Sequence, residues 1–246
     1  MLLLVASIGF LLNLALVLDV QVFHWVLRSP ESSVNVTRPK EVVKSLERLR
    51  QSIVFVQVEG CPGETGRSGT GFAFAEGFVA TAAHILGEAK SCGAEVSISD
   101  ARGGIAPVEI EGISSEDDLA ILRLTGSTLP SLSLADSESY QRLPGLVPVL
   151  TMGYPLPGEG SDPGEAAISG DGNLSRFDGS KNRFVISGIN FNSGNSGGPV
   201  FLKDDWKVLG IAVASIDPSA VDNLGIVVPA SRLRQFFHEQ TGKEVP

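Results

Sequence analysis

The side chain best suited to chemistry is the hydroxyl of Ser196, which lies in the stretch NFNSGNSGGPV at residues 190–200. A serine hydroxyl is a weak nucleophile at neutral pH, so it needs a base to remove its proton and donors to stabilise the oxyanion. Glycines around it permit positive φ and let backbone N–H groups point together at a carbonyl oxygen. We therefore predict a nucleophile at Ser196 and an oxyanion hole formed by the N–H groups of Gly194 and Ser196. The alternative is an ordinary Gly/Asn/Ser hairpin loop without chemistry.

The base is sought among three histidines. His24 lies in an apolar N-terminal segment, and His238 lies beside Glu239 and Gln240 on a predicted terminal helix, which is typical of a solvated side chain. His84 follows the apolar strand GFVATAA, so it would emerge at a rigid sheet edge. A histidine in such a place, taken alone, is more often structural than catalytic. Its pairing with a nucleophile favours His84 as the base.

A catalytic histidine needs a carboxylate that fixes its tautomer and stabilises the imidazolium. The acidic run EDD at residues 116–118 directly precedes LAILRL, which has the composition of a buried strand. We choose Asp118 because it adjoins the strand, which would position and partly desolvate its carboxylate. Asp117 is the competing candidate, and any acid of this run is also compatible with a solvated turn.

The remaining pattern predicts an all-β domain. The chain has 246 residues, 43% of them hydrophobic, and a formal net charge of -9, so no nucleic-acid partner is expected. Many short apolar runs separated by turn signals predict a barrel or sandwich rather than βαβ units. Helical spacing predicts a helix at residues 40–51 and another at 231–240, with Ser231 as its cap. We expect strands at residues 53–58, 70–74, 78–81, 95–99, 108–113, 119–124, 147–153, 165–169, 183–187, 199–202, 208–215 and 224–228.

The first 28 residues predict a transmembrane helix. Residues 2–18 are apolar apart from Ser7 and Asn13, and the apolar character continues to Leu27. About 17 residues is the lower limit for crossing a bilayer. No basic residue precedes the run and no short small-x-small cleavage site is evident, so a retained anchor is favoured over a cleaved signal peptide.

The membrane orientation depends on conflicting signals. Six basic residues follow the apolar segment, and the positive-inside rule would place the body of the protein in the cytoplasm. Against this, Cys61 and Cys92 either pair in a disulfide or remain buried thiols, and sequons begin at Asn35 and Asn173. We predict a body outside the cytoplasm, periplasmic or extracellular, partly on the family resemblance that follows.

Around His84, Asp118 and Ser196 the chain resembles the trypsin-like serine peptidases, and within them the HtrA/Deg branch. The same order is kept by SGTGF at 68–72, MGYP at 152–155, GIA at 210–212 and GIVVP at 225–229. The resemblance covers residues 53–237 and implies two six-stranded antiparallel β-barrels with the site between them. It implies that His84 acts as general base and then acid, that Asp118 orients it, and that Ser196 forms the acyl-enzyme. No cofactor or metal is implied.

This resemblance sets the expected domains and two departures from the family pattern. We expect an anchor at residues 1–28, a linker and amphipathic helix at 29–51, a peptidase domain at 52–240 and a tail at 241–246. Secreted trypsin-like enzymes carry Asp before the serine, and a newly cut N-terminus pairs with it. Asn195 is neutral, so that activation route is not expected. HtrA/Deg proteins usually continue into a PDZ domain, whereas this sequence ends soon after its terminal helix.

The primary specificity pocket is placed by family alignment alone. The alignment puts Asn190 near the bottom of the pocket and Val213, Ala214 and Ser215 along its wall. None of these residues is acidic, so nothing there would attract Arg or Lys. We expect a small or medium apolar residue before the cut bond.

The main hypothesis is thus a membrane-anchored serine endopeptidase that acts on proteins or peptides without a cofactor, in quality control or regulated proteolysis. HtrA/Deg relatives are often trimeric, so a homotrimer is an expectation. A second hypothesis is a catalytically silent peptide-binding or sensing module on the same fold. GNSGG also fits the G-x-S-x-G elbow of α/β-hydrolases, but that fold places the acid and the histidine after the serine, and only His238 follows Ser196.

Overall fold

The computed structural model describes residues 39–62, 66–126, 128–142, 145, 147–155, 166–189, 191, 194–215 and 224–245, with the side chains of 39–43 and 214–215 not described. The predicted anchor at residues 1–28 lies outside this part of the chain. Among the helices that are described, none combines the length and apolarity that a membrane crossing needs. The two barrels described below belong to the unit formed by residues 45–246.

The first barrel follows a helix, α1 (Pro39–Arg50), whose Leu46 and Leu49 pack against the barrel core. Its six antiparallel strands close in the order β1-β2-β3-β6-β5-β4. Two short helices, α2 (Ala83–Leu86) and α3 (Ala89–Cys92), connect β3 to β4. The strands are β1 (Ile53–Glu59), β2 (Arg67–Ala75), β3 (Phe78–Thr81), β4 (Glu95–Ser99), β5 (Ile105–Ser114) and β6 (Leu119–Leu124).

The second barrel repeats this strand order, as β7-β8-β9-β12-β11-β10. No repeat is evident in the sequence, because a barrel needs only buried positions at the right spacing and not identical residues. The prediction of two six-stranded antiparallel barrels is confirmed. The strands are β7 (Val147–Gly153), β8 (Ala167–Asp178), β9 (Arg183–Ser187), β10 (Pro199–Leu202), β11 (Val208–Ser215) and β12 (Leu224–Pro229).

The longest strand, β8, is where the sequence prediction was wrong. We expected a strand at residues 165–169, but β8 runs for 12 residues, Ala167–Asp178. Its centre, GDGN at residues 170–173, has the composition of a turn. A Cβ added at Gly172 would overlap the carbonyl oxygen of Ser187, so the glycine permits the close approach of β8 to the adjacent strand β9.

The C-terminal helix α4 (Ala230–Thr241) follows the second barrel and packs both against β11 and β12 of that barrel and against the first barrel. Phe237, only 1% exposed, meets the rings of Phe74 and Phe78 edge-on at centroid distances of 5.2 and 4.9 Å. Ser231 does not cap the helix as predicted. Pro229 occupies the N-cap, and the Ser231 N–H donates instead to the Ser137 hydroxyl at 2.8 Å.

Replacing Phe237 by Ala should lower the free energy of unfolding by about 3 to 5 kcal/mol, because it removes a buried ring and leaves a cavity. Urea denaturation of both proteins measures the difference. Gln235→Ala is the matched control on the same helix, since Gln235 is exposed, and it should change stability by about 0.5 kcal/mol or less. Equal effects of the two substitutions would contradict the packing described for α4.

Candidate active site

His84 is the second residue of the short helix α2. Its neighbours Ala83, Ile85 and Leu86 are buried and fix the helix to the barrel. The His84 side chain is 47% exposed, so the helix presents the imidazole to solvent. A half-exposed ring on a buried backbone can exchange protons with a ligand without moving its support.

The carboxylate of Asp118 binds His84 through both of its oxygens. Oδ2 lies 2.8 Å from His84 Nδ1, and Oδ1 accepts the His84 backbone N–H at 2.9 Å. Because a carboxylate accepts at Nδ1, that nitrogen carries the proton and Nε2 is left as the acceptor. Asp118 adopts φ 52°, a left-handed conformation that aspartate tolerates better than most residues.

The competing candidate, Asp117, faces elsewhere. Its carboxylate accepts hydrogen bonds from the Ser114 hydroxyl at 2.9 Å and from Arg232 Nε at 2.8 Å. Of the two neighbouring acids, the one that contacts His84 is Asp118.

The turn that carries Ser196 is held by Thr70 on β2. The Thr70 N–H donates to the Ser196 carbonyl at 2.9 Å, and the Thr70 hydroxyl donates to the Gly194 carbonyl at 2.6 Å. The same hydroxyl accepts the N–H of Tyr154 at 3.0 Å. Thr70 is fully buried. One residue of the first barrel therefore grips the turn of the second barrel on both sides of Asn195.

Two glycines allow the Ser196 turn to approach the segment that carries His84. Gly197 has φ 83°, and a Cβ there would overlap Thr70 and lie 2.9 Å from the Ala82 nitrogen, two residues before His84. A Cβ at Gly69 would overlap the Ile85 side chain and lie 3.0 Å from the Ser196 carbonyl oxygen. Ser196 therefore lies beside α2. Among the described residues, its hydroxyl makes no hydrogen bond to the His84 ring.

In the turn that carries Ser196, the carbonyl groups of Gly194 and Ser196 accept hydrogen bonds, whereas the N–H groups of the same two residues do not donate any within the described part of the chain. Gly194 has φ 93°. Both carbonyls accept from Thr70. Open N–H groups in such a turn are suited to binding negative charge.

Asn195 lies between these groups and is fully buried. Neither Oδ1 nor Nδ2 of its amide has a hydrogen-bond partner among the described residues. No ion pair in the described part of the chain involves this position, so contacts of the flanking residues, rather than a charge at 195, hold the turn.

The residues of the predicted specificity pocket are only partly described. Val213 is buried, at 5% exposure, and the backbones of Ala214 and Ser215 pair with Ile226 and Gly225 of β12. Asn190 lies outside the described residues. The pocket stays a prediction from the resemblance.

A disulfide connects the end of β1 to the segment that follows α2. Cys61, just after β1, is joined to Cys92 at the end of α3, with the two Cα atoms 5.5 Å apart. It ties the connection that begins with α2 to the edge of β1. In the described residues, no group of His, Cys, Asp and Glu side chains has an arrangement that would hold a metal ion.

Residues 69–211 match the family of the trypsin-like peptidase domain, which is more than half of the chain. The chain belongs to the trypsin-like peptidase family. The predicted resemblance to the HtrA/Deg branch is confirmed by a relative described as a probable periplasmic serine endoprotease DegP-like, from Halomonas elongata. It is 30% identical over 162 residues, which are 61% of this trypsin-like chain and 31% of the relative. The chain thus spans about a third of the length of that protein.

The fold also resembles a solved structure, that of the serine endoprotease from Yersinia pestis, with a TM-score of 0.64. The match covers 82% of this chain and 66% of the other at 19% identity, so it supports the two-barrel fold alone.

Thr70 was missed as a site residue by the sequence reasoning, which used SGTGF only as a family motif. Its signal is a hydroxyl between two glycines, directly before the apolar run FAFA of the same strand. Such a residue costs free energy to bury unless its hydroxyl is bonded. That cost is the physical hint that the hydroxyl has a defined partner.

Replacing Thr70 by Val should lower the free energy of unfolding by about 1 to 3 kcal/mol, because the buried Gly194 carbonyl and Tyr154 N–H lose their partner. It should also slow the modification of Ser196 by an organophosphorus reagent about ten- to a hundredfold, since the turn is no longer held in place. Thr70→Ser keeps the hydroxyl and should stay close to the wild type in both measurements. If Val and Ser variants behave alike, the hydroxyl does not hold the turn.

Proposed function

We propose that this trypsin-like peptidase is a serine endopeptidase in which Ser196 is the nucleophile, His84 the base and Asp118 the residue that orients the base. The observation that carries the proposal is the two-point contact of Asp118 with the ring and backbone of His84, beside a turn that Thr70 holds. An acid whose only role is to be solvated in a turn would bind water, and both of its oxygens would not be expected to bind the same histidine. The family membership and the DegP-like relative support the same reaction.

The proposed reaction proceeds in two halves. Ser196 Oγ attacks the carbonyl carbon of the peptide bond while its proton passes to His84 Nε2, and Asp118 stabilises the resulting imidazolium. The N–H groups of Gly194 and Ser196 bind the tetrahedral oxyanion. His84 then gives the proton to the departing amine, which leaves an ester on Ser196. Water, deprotonated by His84, attacks that ester and releases the acid, which restores the free hydroxyl.

The absence of a hydrogen bond between Ser196 and the His84 ring, both of which lie in the described part of the chain, fits a site without substrate. Catalytic hydrogen bonds are often long or poorly aligned before substrate binds. Because the His84 side chain is half exposed and its helix is fixed to the barrel, a peptide bound over the ring would exclude water from it. We expect the Oγ···Nε2 hydrogen bond to form in that complex.

A fluorophosphonate probe should label the wild type, because the activated hydroxyl of Ser196 displaces the leaving group at phosphorus. Ser196→Ala should abolish labelling, and replacement of His84 or Asp118 should lower peptide turnover by roughly three to six orders of magnitude. Mass spectrometry of the labelled protein and a quenched-fluorescent peptide assay measure the two effects.

Ser187→Ala is the control for labelling, since this serine lies on β9 of the same barrel. The second candidate is a silent peptide-binding or sensing module. It would be favoured if the wild type binds a denatured protein but is never labelled by the probe. The observation in favour of that candidate is the absence, among the described residues, of a Ser196–His84 hydrogen bond.

We further propose that the primary pocket takes a small or medium apolar side chain. Val213 is apolar, and the pocket positions assigned from the resemblance contain no acid. A peptide library scanned at the residue before the cut bond should show preference for residues such as Ala and Val. Dominant cleavage after Arg or Lys would contradict this proposal.

The setting in which we propose this activity is outside the cytoplasm, with residues 1–28 as a membrane anchor and protein or peptide substrates, in quality control or regulated proteolysis. The Cys61–Cys92 disulfide supports an oxidising compartment. The description of the DegP-like relative as periplasmic supports it as well. A trimer stays a proposal from the HtrA/Deg resemblance.

A further inference from the structure

We infer that Asp117 is a positioning residue, which, through a partly buried ion cluster with Arg232 and Arg183, holds the turn that presents Asp118 to His84. The inference rests on the proposed function, because it assigns to this cluster a role in the same reaction. Asp117, Arg183, Arg232 and Ser114 together form the Asp117 cluster.

Three separate parts of the chain meet at the Asp117 cluster. Asp117 lies in the turn between β5 and β6 of the first barrel, Arg183 begins β9 of the second barrel, and Arg232 lies in the first turn of α4. Their side chains are 13%, 12% and 16% exposed. Ion pairs that are partly buried are screened less by solvent than fully exposed pairs. Arg232 also binds a second carboxylate, that of Glu239, through Nη1 at 3.2 Å.

The contacts converge on one carboxylate. Asp117 Oδ2 accepts from Arg232 Nε at 2.8 Å and lies 2.7 Å from Arg232 Nη2, so the guanidinium binds it side-on. The Ser114 hydroxyl donates to the same oxygen, and the Asp117 N–H donates back to that hydroxyl at 3.2 Å. The backbone and the side chain of Asp117 are therefore both fixed to the end of β5.

Arg183 adds a second fastening from the other barrel. Its Nη1 lies 3.9 Å from Asp117 Oδ1, and its Nη2 donates to the carbonyl of Glu116 at 3.1 Å. Two consecutive residues of the turn are thus held by the second barrel immediately before Asp118. The position of the turn relative to that barrel is set by charge as well as by packing.

Asp117 and Arg232 stabilise each other in their charged forms. Burial opposes ionisation of Asp117, but the hydrogen bonds from Arg232 and Ser114 and the charges of Arg232 and Arg183 outweigh it and lower the pKa of this carboxyl. The hydrogen bond that Arg232 donates to the Asp117 carboxylate, and the negative charge of that group, raise the pKa of Arg232. Both groups keep their charges at neutral pH.

Asp118 needs such support because its conformation is uncommon. A non-glycine residue with φ 52° lies in a sparsely populated region and persists only where its surroundings determine it. The bonds of Asp118 to His84 act on the side chain, whereas the Asp117 cluster fixes the residue just before it. Freeing Asp117 would let the turn relax and would move the Asp118 carboxylate away from Nδ1. The cluster also connects α4 to the turn that carries Asp118.

The test compares Asp117→Asn, Arg232→Gln and the double variant with the wild type. If the cluster positions Asp118, each single change should lower kcat about 10- to 100-fold with KM unchanged, because only the alignment of the base is lost. The double variant should be no worse than either single one, since both break the same contact. Arg232→Lys keeps the charge without the side-on geometry and should retain an intermediate kcat, which also provides a variant with a good chance of folding.

A second readout is independent of turnover. The proton on His84 Nδ1, hydrogen-bonded to Asp118, gives a downfield proton NMR signal, which is assigned by its loss in Asp118→Ala. This signal should weaken or shift in Asp117→Asn and Arg232→Gln. Asp100→Asn is the matched control, because Asp100 is similarly buried at 16% side-chain exposure and pairs with Arg102 in another turn of the first barrel. It should change neither kcat nor the signal.

The inference is overturned if Asp117→Asn lowers stability but leaves kcat and the Nδ1 signal as in the wild type, since the cluster would then be structural only. A wild type without turnover would count against the proposed function and not against this inference. In that case the NMR signal alone decides, and its survival in both single variants would overturn the positioning role.

Discussion

The hold of Thr70 on the Ser196 turn is the contact on which the rest of the site depends. A serine in a glycine-rich turn has many conformations, and only a few of them leave its N–H groups open. By binding the carbonyls of Gly194 and Ser196, Thr70 selects one of these. Because Thr70 belongs to the first barrel and the turn to the second, the same bonds that shape the turn also place it beside α2. The relation between the two barrels is thereby built into the active-site geometry.

Glycine makes this contact sterically feasible. Gly197 and Gly69 lie where any Cβ would collide with the facing chain, so the two segments approach to backbone contact. The buried amide of Asn195 is the cost of that arrangement, since neither of its polar atoms is bonded within the described chain. The conformation of the Ser196 turn is therefore stabilised by contacts with the first barrel rather than by hydrogen bonds of the Asn195 side chain.

Much of the fold was predictable because it rests on local patterns. Strands such as residues 119–124 and 199–202 are short apolar runs between turn signals, and the structure gives them those bounds. β8 was not predictable, since its glycine-rich centre has the composition of a turn, and the need for Gly172 shows only in its close approach to Ser187 on the paired strand β9. His84 and Asp118 could be chosen from the elements that carry them. The composition around Thr70 hints at a bonded hydroxyl, but the partners of Thr70 and of the Asp117 cluster could not be identified, because they lie up to 124 residues away in the chain.

The packing of Phe237 over Phe74 and Phe78 has a consequence for biosynthesis. The first barrel leaves the ribosome long before α4 has been translated, so its apolar rim stays uncovered while the second barrel is made. Only when α4 docks is that rim closed, and the same docking brings Arg232 to the turn before Asp118. A nascent chain therefore lacks the contact between Arg232 and this turn until α4 has been translated and has docked.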